Sequence, residues 1–171
     1  NYFDQTCIVQ SRFLKILIMP NTYSQLYIQT VFAVKYRNAV IEKEWRSELM
    51  AAIGNLINET GCKTIIVNGI EDHVHCFFSL APKLAISDVM QSVKSKSSKW
   101  VNENGFMLDR FEWQRGFGAF SYNKSAIKNV NNYIVNQETH HQRESFKEEY
   151  TKLLIELEVN YDEDYYFEEM I

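Results

Sequence analysis

Proline and glycine are scarce in this chain, with two prolines and six glycines among 171 residues. That scarcity excludes a collagen-like repeat, a proline-rich linker and a Gly/Ser low-complexity segment. Cysteine is scarce as well, and Cys7, Cys62 and Cys76 lie too far apart for a metal knuckle or a disulfide framework. An odd, scattered set fits a reducing compartment, so a cytoplasmic protein is expected. No apolar run approaches the roughly 18 residues of a membrane helix, so no membrane partner is expected. What is present is a core: 46% of the residues are hydrophobic and 14% aromatic, enough for one domain of ordinary size.

The formal charge of −4 argues against a nucleic-acid partner until its distribution is read. From Glu148 to Ile171 nine acids face one base, whereas residues 1–147 hold 17 bases against 13 acids. A basic body therefore carries a solvated, partly helical acidic tail, and phosphate binding depends on local basic surface rather than on the total. At the other end, "RFLKILIM" (12–19) has the apolar character of a signal peptide, but Lys15 interrupts it and no small-residue cleavage site follows. Met19-Pro20 reads instead as a start, with residues 1–18 as an upstream extension.

"SQLYIQTVFAVKYR" (24–37) is β-branched and aromatic and reads as a buried strand. Trp45, Leu49, Ala52, Ile53 and Leu56 recur at helical spacing before Gly61 stops them. "CKTIIVNGI" (62–70) and "HVHCFFSL" (73–80) read as a hairpin around Glu71-Asp72, ended by Pro82. Ser87 is the expected cap of a helix through Val89, Met90, Val93, Ser97 and Trp100. "FEWQRGFGAF" (111–120) reads as a fourth strand, Ser125 as the cap of a helix through Ile127, Val130 and Ile134, and residues 145–159 as a last helix. The order β-α-β-β-α-β, followed by helices, predicts an α+β fold: a ferredoxin-like (RRM-like) split βαβ antiparallel sheet with additional C-terminal helices. One face of that sheet is expected to stay free.

His73 and His75 flank Val74, so on a strand they share one face. Such a pair can chelate a divalent cation if a third ligand arrives from elsewhere, or it can be two hydrogen-bonded histidines and nothing more. In "NNYIVNQETHH" (131–141), Tyr133 and Gln137 are four apart and lie on one helix face beside the Val130–Ile134 stripe. A glutamine carbonyl there could complete a metal site, with the tyrosine one turn away. Equally, Tyr133 could be a core-flanking aromatic and Gln137 a solvent-facing amide.

A strand-borne His-hydrophobic-His followed by Tyr-x-x-x-Gln on a late helix resembles the HUH single-strand endonucleases. More narrowly, the chain resembles the small tyrosine transposases of the insertion-sequence 200/605 type. The likeness runs from Met19 to about Phe167, through "MPNTYSQLYIQTVFAVK", "DHVHCFF", "WQRGFGAFS", "YIVNQETHH" and the "SFKEEY" to "YDEDYYFE" close. It implies three segments: an extension at 1–18, an HUH transposase domain at 19–145, and a C-terminal helix with acidic tail at 146–171. It also implies that His73, His75 and Gln137 hold Mg2+ or Mn2+, and that Tyr133 is the nucleophile. The implied activity is cleavage and rejoining of single-stranded DNA at hairpin ends through a 5′-phosphotyrosine, by a homodimer of a mobile element's transposase. Phe117 departs from the family, which often has a tyrosine there, but that position is not the nucleophile.

Asp72 is a candidate for orienting a histidine, and His140 and His141 are alternative ligands or phosphate contacts. DNA contacts are expected from Lys94, Lys96 and Lys99, which cannot all share one helix face, and from Arg115, Lys124 and Lys128. Trp100 and Trp113 could stack bases, although their spacing suits a core equally well. The competing reading is a non-catalytic single-stranded nucleic-acid-binding protein, or a domesticated transposase. A sheet-face RNA binder would show an aromatic RNP-type pattern, which "HVHCFFSL" lacks.

Overall fold

A computed structural model describes residues 23–141 and 145–161. The extension at 1–18 and the end of the acidic tail lie outside the described residues.

Four strands form one antiparallel sheet: β1 (Tyr27–Ala33), β2 (Lys63–Gly69), β3 (His73–Ser79) and β4 (Gly118–Tyr122). Their order is β2-β3-β1-β4, as two interleaved split βαβ units require. Helices α1 (Lys43–Glu59) and α2 (Ile86–Asn104) make the two crossovers. After β4 come α3 (Ile127–Val135), α4 (Gln137–His141) and α5 (Phe146–Glu156). Among the described residues no helix is long and apolar enough to cross a membrane.

The register of β1 on β3 pairs Val31 with His75 and Ala33 with His73, so these four share a face. Ile28, Phe32, Val74, Cys76 and Phe78 point the other way and pack with Leu49, Ile53, Val89, Met90 and Val93 of α1 and α2. The expectation of a free second face fails. Val31, Ala33 and Phe120 are covered by Phe146, Leu153 and Leu154 of α5, and Phe77 by Val130 and Ile134 of α3. Both faces of β3 are therefore buried, and each fully enclosed phenylalanine contributes roughly 1.5–3 kcal/mol. The helix at 146–156 is thus packed structure, not the solvated appendage its charge suggests.

Boundaries differ where backbone needs outweigh residue preference. Ser87 lies inside α2, whose N-cap is Ala85 without a side-chain cap. Ser125 sits in a short 3-10 turn, and it is Asn123 that caps it, accepting from the Ala126 N–H. Ser145 does cap α5, in a reciprocal box with Glu148. Residues 111–117 do not join the ladder as a strand. Apart from a bridge between Val34 and Trp113, they cross over the end of β1, held by Gln114 N donating to Ala33 O at 2.9 Å.

Candidate metal and tyrosine centre

His73 and His75 project from β3 under α3–α5, and both side chains are fully buried. Their turn is tight: a Cβ on Gly69 would lie 2.3 Å from the His73 carbonyl oxygen, so only glycine fits. Asn68 on β2 reaches across to donate to the Ile134 and Val135 carbonyls, at 2.7 and 3.3 Å. These are carbonyls that the end of α3 leaves without helical partners. The expected single helix is broken at Asn136, yet Tyr133 and Gln137 remain on the histidine side.

What the side chains converge on is Glu149, from α5. Its carboxylate accepts from the Tyr133 hydroxyl, from Gln137 Nε2 at 2.9 Å and from His141 Nε2 at 2.7 Å. His73 Nε2 and His75 Nε2 each lie 3.4 Å from it. The ring centroids of His75 and Tyr133 are 5.9 Å apart, so the tyrosine of this chain sits beside the histidines of the same chain.

Behind the histidines the two supports differ. His73 Nδ1 donates to Asp72 Oδ1 at 2.7 Å, and Asp72 is paired with Arg37. Arg37 is placed there by a left-handed backbone at Tyr36 and Arg37, both with φ of 58°, and it also covers the Phe146 ring at 4.1 Å. His75 Nδ1 instead faces Gln29 Nε2 at 3.1 Å, and Gln29 Oε1 accepts from the Tyr122 hydroxyl at 2.9 Å.

The electrostatics follow. Burial opposes charge on His73, but the hydrogen bond to Asp72 and the nearby Glu149 carboxylate outweigh it and raise its pKa. For His75, burial wins over Glu149 and lowers the pKa. Burial also works against ionised Glu149, yet the hydrogen bond from His141 and the closeness of the His73 and His75 rings hold it far below the usual carboxylate range. It is therefore a hydrogen-bond acceptor held ionised rather than a store for protons. Tyr122, at the end of β4, is pushed up to about 12, by burial first and then by Glu156.

Among the described residues, three buried polar atoms here have no hydrogen-bond partner: His73 Nε2, His75 Nε2 and Gln137 Oε1. Buried groups are rarely left so, and this donor set suits a divalent cation. His73, His75 and Glu149 also present ligand atoms all within 4.8 Å of one another. The residues therefore fit a metal ion, and Glu149, the acid set among them, is the residue that sequence reading missed.

The expected DNA contacts do not form one cluster. Lys94 donates to the Gln114 carbonyl at 2.6 Å and to that of Gly116, so it ties α2 to the 111–117 crossing; burial lowers its pKa to about 8. Lys96 pairs with Glu59 at 3.2 Å, and Lys99 with Glu103 at 3.5 Å. Lys94 and Arg115 line a groove of about 980 Å³ with Lys35, Tyr36, Ser95 and Phe117. Lys124 and Lys128 are exposed around the start of α3. Trp113 is core, its Nε1 donating to the buried Ser97 hydroxyl at 2.9 Å. Among the described residues, Trp100 is half-buried against Phe106.

Comparison with known proteins gives the class to which this sheet and its helices belong. Residues 22–137 match the model of the IS200-like transposase family, and the chain belongs to that family. It is 28% identical over 112 residues to the transposase for insertion sequence element IS200 of Salmonella typhimurium, covering 63% of this chain and 73% of that protein. It is 29% identical over 75 residues to the ISDra2 transposase TnpA of Deinococcus radiodurans, covering 44% and 54%. Two solved structures share the fold. One, a Deinococcus radiodurans chain described as a transposase, superimposes with a TM-score of 0.56 at 18% identity, over 70% of this chain and 96% of its own. The other, a REP-associated tyrosine transposase bound to a REP hairpin, has a TM-score of 0.52 at 15% identity, over 72% and 74%. The protein is a transposase of a mobile element, a DNA-recombination protein with a His-His-Glu group that could hold a metal.

Proposed function

We propose that this transposase cleaves and rejoins single-stranded DNA at hairpin-bearing ends, with Tyr133 as nucleophile and His73, His75 and Gln137 holding Mg2+ or Mn2+. The observation that carries the reading is the convergence of the Tyr133 hydroxyl, the Gln137 amide and both histidine Nε2 atoms on one buried carboxylate. Imidazole donors make Mn2+ suitable, and an oxygen-rich substrate suits either ion. When bound, the ion supplies Lewis-acid polarisation of the scissile phosphate.

The chain's own residues do the rest. Asp72, itself clamped by Arg37, holds the proton on His73 Nδ1 and directs Nε2 inward. Glu149 orients the Tyr133 hydroxyl by accepting its hydrogen bond. The tyrosine oxygen forms a bond to phosphorus as the bond to O3′ breaks, leaving a 5′-phosphotyrosine and a 3′-hydroxyl that takes up the proton. Because one phosphodiester replaces another, the reverse step rejoins strands. A hairpin-bearing partner suits the basic body and the groove carrying Lys35, Lys94 and Arg115. One nucleophile per chain is consistent with a homodimer processing two ends. Incubating the protein with labelled hairpin oligonucleotides and Mn2+ should give a covalent protein–DNA band that maps to Tyr133. Binding without any band would favour the non-catalytic reading.

A further inference from the structure

The two histidines differ behind the ring, and that difference has a consequence for metal loading. A neutral imidazole carries one proton, and it can offer Nε2 to a cation only when that proton is on Nδ1. His73 meets the condition, because Asp72 can only accept from its Nδ1. His75 does not. The group at its Nδ1 is the NH2 of Gln29, which can only donate, an arrangement that puts the ring proton of His75 on Nε2, 3.4 Å from Glu149. In this orientation Gln29 Oε1 accepts from the Tyr122 hydroxyl at 2.9 Å, and that hydroxyl, with its pKa pushed up to about 12, keeps its proton at neutral pH. Gln29 is 1% exposed, on an inner position of β1, so solvent does not share this contact.

On the reading that His73 and His75 bind a divalent ion, we infer that Gln29 is a positioning residue that selects the tautomer of His75. Its amide turns over when the ion binds. Turned about its last bond, the amide presents Oε1 to His75 Nδ1 and NH2 to the Tyr122 oxygen. Oxygen and NH2 are close in size, so the surrounding packing is unchanged. The Tyr122 hydroxyl then becomes the acceptor and directs its own proton elsewhere. Tyr122, Gln29 and His75 thus form a chain that opposes loading in one sense and supports it in the other. The ion has to reverse both contacts to claim His75.

The test uses the full chain, Mn2+ titration calorimetry at pH 8, and nitrogen–proton correlation spectra of the imidazoles without metal. With four histidines in the sequence, those spectra can be assigned by substitution. The metal-free protein should show His75 protonated on Nε2 and His73 on Nδ1. Gln29→Glu offers a carboxylate that accepts from both neighbours, so His75 should switch to the Nδ1 tautomer and Mn2+ should bind more tightly, by roughly tenfold or more. Gln29→Met offers no acceptor, and binding should weaken by roughly 10- to 100-fold. Tyr122→Phe releases the amide, so affinity should hold or rise, whereas a merely structural tyrosine would weaken it. His75 already protonated on Nδ1 in the metal-free protein, or Gln29→Met binding Mn2+ as the unaltered protein does, would overturn the inference. If the unaltered protein binds Mn2+ and His73→Ala abolishes binding, the metal reading stands whatever the Gln29 variants do. If it binds none, the metal reading fails and the inference with it. The spectra, which need no ion and no Gln29 or Tyr122 variant, decide the resting tautomer even where one of those variants fails to fold.

Discussion

Replacing Glu149 by alanine should destabilise the metal-free protein far more than an acid drawn from an acidic run would suggest. The carboxylate accepts hydrogen bonds from Tyr133, Gln137 and His141 and lies 3.4 Å from each of two buried histidine nitrogens. Deleting one partner of a buried charge cluster costs about 3–5 kcal/mol, because the remaining donors are left without a counter-charge. With a urea slope of about 2 kcal/mol per molar, the unfolding midpoint should fall by roughly 1.5–2.5 M. The measurement is urea denaturation at neutral pH in EDTA, repeated with Mn2+. His73, His75 and Gln137 remain in the variant, so an ion at about 100 times its dissociation constant should restore about 2.7 kcal/mol. Glu149→Gln, which keeps the shape but sets an NH2 against other donors, should fall between alanine and the native residue. A loss in EDTA below about 1 kcal/mol, the scale of a surface ion pair, would refute the reasoning.

Tyr133→Phe removes only the hydroxyl and keeps the ring that packs against His75, so it should fold and bind hairpin DNA yet form no covalent adduct; an adduct that survives, seen on a denaturing gel, would move the nucleophile elsewhere. Gly69→Ala sets a methyl 2.3 Å from the His73 carbonyl, and thermal unfolding should report a cost of about 1–3 kcal/mol, with weaker Mn2+ binding. Mn2+ affinity should rise with pH through and above 6.5 and level off beyond the raised pKa of His73, whose Nε2 must lose its proton. In EDTA the sign reverses: charged His73 contributes stability fully below 6.5, and that contribution is lost as pH rises through its higher folded value, as urea midpoints across pH would read. Hairpin affinity should fall steeply with salt, and ending the chain after Tyr161 should not abolish it, because 17 bases against 13 acids lie before Glu148; a flat gel-shift titration would count against a basic binding surface.

The shared face of His73 and His75 was legible because strand alternation is a local rule, and the register of β3 on β1 keeps it. The same holds for Tyr133 and Gln137, four apart on helical backbone, even though the helix they were assigned to breaks at Asn136. Two hydrophobic faces for one sheet were not legible. In β3 the histidines occupy positions that a one-sided sheet would turn to solvent, and only α3 and α5 folding back cover them.

Glu149 shows why. It stands beside Glu148 at the start of a run of acids, and nothing local separates the two. Glu148 is exposed and caps α5, whereas Glu149 is 4% exposed, because one helix position turns it toward the sheet. Lys94 and Gln29 were hidden in the same way, one amine bent onto two carbonyls and one amide set within an apolar strand. The sequence by itself determined which residues recur with period two or near four, and with them the histidine pair, the tyrosine and the glutamine. Only the tertiary structure decided which acid meets them and that Gln29 stands behind His75. Those partners come from β1 and α5, far apart in the chain, and their meeting depends on packing across the sheet rather than on any spacing along it.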